Sequence, residues 1–305
     1  MTNPRPRVVE KPAKPGTDAW RQLITASKIP AILGVSRYQS QYSLWHEMAG
    51  NLPPAPISEA RQDDFDFGHA VELAAREYWR LKNPRWRISQ KEVQYTDESL
   101  EFGNAATIDR RASLGTRRRV VEVKKARDVN EFGDDGSGEV PIDHAAQVTY
   151  QQRITGFHEP ANLILWPEYG RPRIYVVEYS PALAAHILAT VRKWVASLAA
   201  GTPPDLDDSV TCYETVKRLH PEIDGREVEV DPEIAIPFLR RVAEEKALTK
   251  DLRGSKARML DAMGTAETAL CMGQKIATRY VWRGDTIALK ANPKTDPAFI
   301  EELTA

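Results

Sequence analysis

The order of apolar patterns along the middle of the chain limits the folds open to it. A long segment with apolar residues at helical spacing comes first, then three segments with β-branched residues and period-two alternation, a helix, two more strands and an apolar helix. In order, these segments are residues 58–81, 85–96, 100–109, 117–126, 143–156, 161–169, 173–180 and 181–201. This order predicts an α/β core with a mixed central sheet flanked by helices.

The segments on either side of this core have a different character. Residues 1–17 are polar and proline-rich, and we expect a flexible arm there. A short helix is predicted over residues 24–34, with Thr25 or Ser27 as its cap and Gly34 at its end.

A proline- and acid-rich stretch around residue 205 suggests a domain boundary. We therefore assign residues 18–204 to the core and residues 205–305 to an extension. The extension is predicted to hold a long charged helix over 231–263, followed by a β-hairpin that turns at Arg-Gly-Asp, 283–285.

Composition excludes several classes of protein. The chain has 305 residues and two cysteines, Cys212 and Cys271, which lie too far apart in sequence to suggest a disulfide framework and are too few for a four-cysteine iron–sulfur or zinc site. No apolar run approaches the roughly 20 residues of a membrane span, and no secretory signal is recognisable. We expect no membrane association and a cytoplasmic location, in a bacterium or a phage-infected host cell. The net charge of −1 is weak evidence against nucleic-acid binding, but basic residues are clustered locally.

The sharpest chemical pattern is an aspartate after one strand and Glu-Val-Lys within the next. Side chains two residues apart in a strand share a face, so Glu122 and Lys124 project side by side. A neighbouring antiparallel strand that ends at Asp109 brings a second carboxylate next to Glu122. Two convergent carboxylates suit Mg²⁺, and an adjacent ammonium is placed to orient or deprotonate an attacking water.

The competing interpretation is an exposed cross-strand ion pair, which is the commoner meaning of Glu-x-Lys on a strand. Val121 and Val123 argue for a core strand instead, because they make its other face apolar. Glu72, on the long helix, is a further candidate carboxylate, although a solvated helix face would also explain it. His69, one turn earlier, is interpreted as structural.

Basic residues flank the proposed site strands and suit phosphate contacts, although a solvated hairpin tip would explain them equally well. They are Arg110, Arg111, Arg117, Arg118, Arg119 and Lys125. Five tryptophans lie mostly on apolar faces and are interpreted as core residues, not as base-stacking platforms.

Five motifs occur in an order that resembles a known family. They are Trp20 with Ile24-Thr25-Ala26-Ser27 and Ile32-Leu33-Gly34, Gly68 to Glu72, Thr107-Ile108-Asp109, Val121-Glu122-Val123-Lys124, and Ala146-Gln147-Val148 with Thr155-Gly156. Over roughly residues 18 to 200, the chain resembles the YqaJ-type viral recombinases and the phage lambda exonuclease, within the PD-(D/E)xK nuclease superfamily with its restriction-endonuclease-like core.

The resemblance implies a role for each matching residue. Asp109, Glu122 and the carbonyl of Val123 would bind the metal, and Glu72 would complete the site directly or through water. Lys124 would act on the nucleophilic water.

Three further positions follow from the same resemblance. Gln147 would line the site and help to position the water or the phosphate. Thr25 and Ser27 correspond to the region that grips a terminal 5′ phosphate, at a predicted helix N-terminus that favours anions.

The chain departs from the family pattern at two positions. The arginine and glycine usual before Ile-Thr-Ala-Ser lack clear counterparts, which leaves Arg21 as the candidate phosphate ligand. Arg110 stands where the family usually has a glycine after the site aspartate, and Arg111 follows it. These two arginines would contact DNA or crowd the turn.

The implied function is a Mg²⁺-dependent deoxyribonuclease, with Mn²⁺ as a substitute. Specifically, we expect a 5′→3′ exonuclease on linear duplex DNA that leaves 3′ single strands for a single-strand annealing protein, assembled as a ring-shaped homo-oligomer, a trimer. A related endonuclease or other DNA-processing nuclease remains an alternative, and so does an inactive DNA-binding module on the same scaffold. A CRISPR-adaptation-type exonuclease is disfavoured, because such enzymes usually carry four cysteines.

Overall fold

The computed structural model describes residues 4–52, 58–126, 129–282, 284 and 286–298. The chain divides into two compact units, Met1–Glu222 and Ile223–Ala305. The division lies later than the predicted boundary at residue 205, because residues 205–222 belong to the first unit. Within this segment, Thr215 Oγ1 donates a hydrogen bond of 2.9 Å to Ser43 Oγ.

A five-stranded mixed sheet forms the centre of the first unit. Its strands, in spatial order, are β3 (Arg87–Ile88), β6 (Arg110–Leu114), β7 (Arg117–Ala126), β8 (Ala161–Pro167) and β9 (Arg173–Val177). Strands β7 and β8 are parallel, and the other neighbours are antiparallel. The predicted mixed sheet is therefore present.

A second sheet of four strands adjoins it. Its order is β1 (Pro6–Val8), β4 (Val93–Asp97), β5 (Asn104–Ile108) and β2 (Ile24–Thr25). Two expectations are wrong here. The arm is not flexible throughout, since Pro6–Val8 pairs with β4. The helix predicted from residue 24 begins later, because Ile24 and Thr25 are taken into the sheet beside β5.

The helices of the first unit lie between and after these strands along the chain. They are α1 (Asp18–Gln22), α2 (Ile29–Ile32), α3 (Gln41–Met48), α4 (Glu59–Lys82), α5 (Ile142–Thr155), α6 (Pro181–Ala200) and α7 (Val210–Leu219), with a 3₁₀ helix, Ala26–Lys28, before α2.

Two apolar layers enclose the five-stranded sheet, and alternation along β7 separates them. Val121 packs with Ala75 and Trp79 of α4 on one face. Val120 belongs to the larger core on the other face, with residues of α5 and α6. Glu122, two residues after Val120, therefore points to the α5 side.

The second unit contains a long helix and a small antiparallel sheet. Helix α8 (Pro232–Met263) precedes β10 (Thr268–Cys271), β11 (Gln274–Trp282) and β12 (Thr286–Ala291). The helix and the β11–β12 hairpin were predicted, but β10 was not. Residues 283 and 285 of the predicted turn lie outside the described residues. No helix in the described ranges is both long enough and apolar enough to cross a bilayer.

Candidate functional site

Asp109 lies where the chain passes from β5 of one sheet to β6 of the other. Its Oδ2 accepts a hydrogen bond of 2.7 Å from the backbone N–H of Val123. The bond fastens the carboxylate to β7, one residue beyond Glu122. The structure thus brings together the two strand carboxylates that the sequence singled out.

Glu122 is 3% exposed and is the most heavily hydrogen-bonded carboxylate of this site. Its Oε1 accepts from Lys124 Nζ at 2.8 Å and from Gln147 Nε2 at 2.6 Å. Its Oε2 accepts from Gln151 Nε2 at 2.7 Å. The Glu122 carboxylate is thus buried against helix α5 with a half-buried Lys124 beside it, and the interpretation as an exposed cross-strand ion pair is wrong.

Gln151 is a site residue that sequence reasoning missed. It is fully buried, and its Nε2 also donates to the carbonyl of Thr107 at 3.0 Å. The signal was available: Gln151 lies four residues after Gln147, and side chains at that spacing share one helix face.

Glu72 reaches the same region from α4 but does not contact Glu122. Its Oε2 lies 3.4 Å from Arg110 Nη1, which also donates to the backbone carbonyl of Asp109 at 2.5 Å. The Arg110 side chain is only 4% exposed, so the phosphate contact predicted for it is not available in this arrangement.

The charges of the cluster shift its protonation equilibria. Burial and the neighbouring Glu122 carboxylate raise the pKa of Asp109 well above its ordinary value. Burial also raises the pKa of Glu72, although Arg110 opposes that shift. Burial would lower the pKa of Lys124, but the Glu122 and Asp109 carboxylates outweigh it and raise that pKa overall.

The donor chemistry of the cluster fits a hard divalent cation. Within the described residues, no three Asp, Glu, His or Cys side chains converge as a closed metal cage. Mg²⁺ does not require one, since it usually binds one or two carboxylates and keeps several waters. Asp109 and Glu122 supply that number, with the Val123 carbonyl as a further oxygen on the same strand.

The residues predicted to grip a terminal phosphate lie together at the β2 end of the smaller sheet. Thr25 Oγ1 and Ser27 Oγ are 3.0 Å apart, but Thr25 makes no side-chain cap to the helix that follows. Arg21 pairs with Asp18 at 2.8 Å. The predicted helix N-terminus is only a 3₁₀ turn, so the anion-binding argument from a helix dipole is wrong.

Lys28 is an unpredicted feature of the same segment. It is 3% exposed, and Nζ donates to the carbonyls of residues 20, 21 and 23 at 2.8–2.9 Å. Burial lowers its pKa to about 7. These three hydrogen bonds hold the backbone of residues 20–23, which carries the predicted phosphate ligand Arg21 and leads into Thr25 and Ser27.

The three consecutive arginines of the β6–β7 turn lie at the far end of β7 from the carboxylates. Arg117 forms a two-point ion pair with Glu159, at 2.8 and 2.5 Å. Arg119 donates to Asn162 Oδ1 at 2.9 Å and stacks over the ring of Trp86. Arg117 and Glu122 are five positions apart on β7, which is about 16 Å along the strand.

The other basic candidates also have partners within the chain. Within the described residues, the hydrogen bonds of the Arg118 side chain go to the backbone carbonyls of Gly115 and Arg117. Arg111 donates to the Tyr95 hydroxyl at 3.3 Å. Lys125 lies 3.4 Å from Asp64. Of the three consecutive arginines, Arg118 is therefore the one whose described side-chain hydrogen bonds stay within its own turn.

Comparison with known families matches the motif-based resemblance. Residues 17–158 match the family model of the YqaJ-like viral recombinase domain, and this range contains every predicted catalytic residue. A curated relative from Bacillus subtilis (strain 168), named uncharacterized protein YqaJ, is 22% identical over 244 residues, covering 74% of this chain and 70% of its own. The predicted family resemblance is confirmed.

Two solved structures align with part of this chain. The alkaline exonuclease LHK-Exo from Laribacter hongkongensis aligns with a TM-score of 0.46 and 16% identity, covering 60% of this chain and 91% of that one. Its complex with dAMP gives 0.45 and 17%, with the same coverage.

Proposed function

We propose, from the premise that residues 17–158 form a YqaJ-like viral recombinase domain, that this chain is a Mg²⁺-dependent deoxyribonuclease on a PD-(D/E)xK core. One observation carries the proposal. The Glu122 carboxylate is buried between Lys124 and Gln147, next to Asp109, so acid, ammonium and amide groups meet beside the central strand β7. A surface ion pair would not need this enclosure.

Each of these groups would have its own role in phosphodiester hydrolysis. Asp109, Glu122 and the Val123 carbonyl would hold Mg²⁺, and Glu72 would complete the site directly or through water. When bound, such a cation polarises the phosphate and lowers the pKa of a coordinated water.

Lys124 and Gln147 would act on the nucleophile. The Lys124 ammonium is a donor held beside the carboxylates, which suits it to orient the attacking water or to stabilise charge developing on the phosphate. Gln147 donates from the facing helix and would fix the water or a phosphate oxygen from that side. Both groups already meet at Glu122 Oε1, so they converge on one point.

We further propose 5′→3′ exonuclease action on linear duplex DNA. Thr25 and Ser27, whose hydroxyls are adjacent, together with Arg21, would receive the terminal phosphate. The product would be a 3′ single strand suited to a single-strand annealing protein. A ring-shaped trimer is the assembly that would enclose such a substrate.

Digestion of end-labelled duplexes in Mg²⁺ tests the proposal. We expect 5′-labelled linear duplex to release label first, faster with a 5′ phosphate than without, and covalently closed circles to resist. Cleavage of circles would indicate an endonuclease instead. DNA binding without cleavage of any substrate, in Mg²⁺ or Mn²⁺, would indicate an inactive DNA-binding module.

A further inference from the structure

Arg110 occupies a position between two oxygens that would suit a metal ion. Its Nη1 lies 3.4 Å from Glu72 Oε2 and 2.5 Å from the backbone carbonyl oxygen of Asp109. Carboxylate and carbonyl oxygens are the ligands that hard divalent cations take from proteins. Here a guanidinium nitrogen lies against both, and the side chain is buried.

With Arg110 included, the formal charges of the cluster nearly cancel. Three carboxylates, Glu72, Asp109 and Glu122, lie with two basic side chains, Lys124 and Arg110, which gives a formal net charge of −1 when each group is counted in its charged form. One divalent cation would reverse that charge, and a second would add two more positive charges beside a buried guanidinium. Repulsion between like charges is strong where water is excluded, so a second cation is disfavoured.

We propose that Arg110 takes the place of a second divalent cation, so that this site binds a single one. Glu72 then serves as the counter-ion of Arg110. Of the two roles proposed for it above, Glu72 would complete the site only through water and would not be a direct ligand of the cation. The inference rests on the proposed function for the first cation, held by Asp109 and Glu122, and goes beyond it by fixing how many cations the chain takes and which residue sets that number.

Counting bound Mn²⁺ tests this directly, without any measurement of cleavage. Isothermal titration calorimetry and the electron paramagnetic resonance of free Mn²⁺ both report the number bound per chain. We expect one Mn²⁺ for the wild-type chain and one for Arg110→Lys, which keeps the charge. Arg110→Met removes the charge but keeps an unbranched apolar stem, and should admit a second Mn²⁺ at Glu72.

The double variant Glu72→Gln with Arg110→Met is the matched control, and its stoichiometry should return to one. Two Mn²⁺ bound to the wild-type chain would overturn the inference, as would a folded Arg110→Met chain that still binds one. If the wild-type chain binds none, the proposed metal site fails, and the inference fails with it.

A single variant keeps the inference testable if Arg110→Met does not fold. Glu72→Gln alone should leave one Mn²⁺ bound. Its Kd should rise by less than about 100-fold, the range seen when a group outside the metal's own ligands is lost. A larger loss would mean that Glu72 ligates the single cation, and that result would overturn the role assigned to it.

Discussion

The side-chain amide of Gln151 donates a hydrogen bond of 2.7 Å to Oε2 of Glu122, and both residues are buried. Because a carboxylate held at only one oxygen can rotate about its last side-chain bond, this contact fixes the plane of the Glu122 carboxylate. Preorganised ligands lose less freedom on binding, and groups that orient a metal ligand contribute measurably to affinity and activity.

Gln151→Leu should therefore impair cleavage beyond any loss of stability. We expect kcat to fall about 10- to 100-fold and the Mg²⁺ concentration for half-maximal rate to rise, because Glu122 loses an orienting partner. Steady-state kinetics over a Mg²⁺ series measures both effects.

Gln152 offers a matched control one residue away. It is equally buried, but its Nε2 donates to the carbonyls of Glu159 and Val177, outside the site. Gln152→Leu should lose a similar stability, about 1–3 kcal/mol, while keeping its Mg²⁺ dependence. Equal kinetic losses in the two variants would mean that the role of Gln151 is structural only.

Asp97 of β4 and Arg153 of α5 form a buried ion pair that should govern acid stability. The carboxylate Oδ2 lies 2.5 Å from Arg153 Nη1, and Oδ1 accepts backbone N–H bonds from Arg5 and Ser99. Burial acts to raise the pKa of Asp97, but these hydrogen bonds lower it below its ordinary value overall. A lowered folded-state pKa stabilises the fold above about pH 4, and the contribution is lost as the pH falls through that lower value.

Asp97→Asn should abolish that pH-dependent contribution. We expect about 3–5 kcal/mol of destabilisation near neutral pH, since Arg153 keeps a buried charge without its partner. The stability of the variant should change less than that of the wild type below about pH 4. Urea unfolding from pH 7 to 2 measures this, and an acid slope identical to that of the wild type would contradict the assignment.

Two neighbouring arginines should respond differently in DNA binding. Arg118 donates to the local carbonyls of Gly115 and Arg117, whereas Arg119 donates to Asn162 and stacks over Trp86. We expect Arg118→Gln to reduce the slope of log K against log salt by about 0.9, the value for one phosphate contact. Arg119→Gln should leave the slope unchanged and lower the melting temperature. Fluorescence anisotropy with a labelled duplex in EDTA measures the slopes, and an unchanged slope in Arg118→Gln would remove it from the DNA contacts.

Strand and helix order was predictable from the sequence because burial in this fold follows the local period. Period-two alternation placed Val121 on the α4 face of β7 and Glu122 on the α5 face. Five spaced motifs were enough to predict the family. Four site residues meet because β6 pairs with β7 and α5 covers that part of β7. They are Asp109, Glu122, Lys124 and Gln147.

What could not be predicted depends on partners that are distant in sequence. Arg110 seemed free to contact DNA, but Glu72, 38 residues earlier, holds it in a buried position. Ile24 and Thr25 carried a helix-start pattern, yet pairing with β5 took them into a sheet. Local propensity is weak and tertiary pairing overrides it.

Mg²⁺-dependent cleavage of linear duplex DNA by Glu122→Gln, compared with the wild-type chain, tests the central claim most directly. The wild type should release nucleotides in Mg²⁺ and none in EDTA. The cleavage rate of the Glu122→Gln chain should be lower than that of the wild type by about 100-fold or more, because the variant loses a group that acts at the reacting centre. Glu101→Gln, which breaks only an exposed pair with Arg192, should match the wild type. A folded Glu122→Gln chain that cleaves at the wild-type rate, or a wild type that is indifferent to EDTA, would contradict the account.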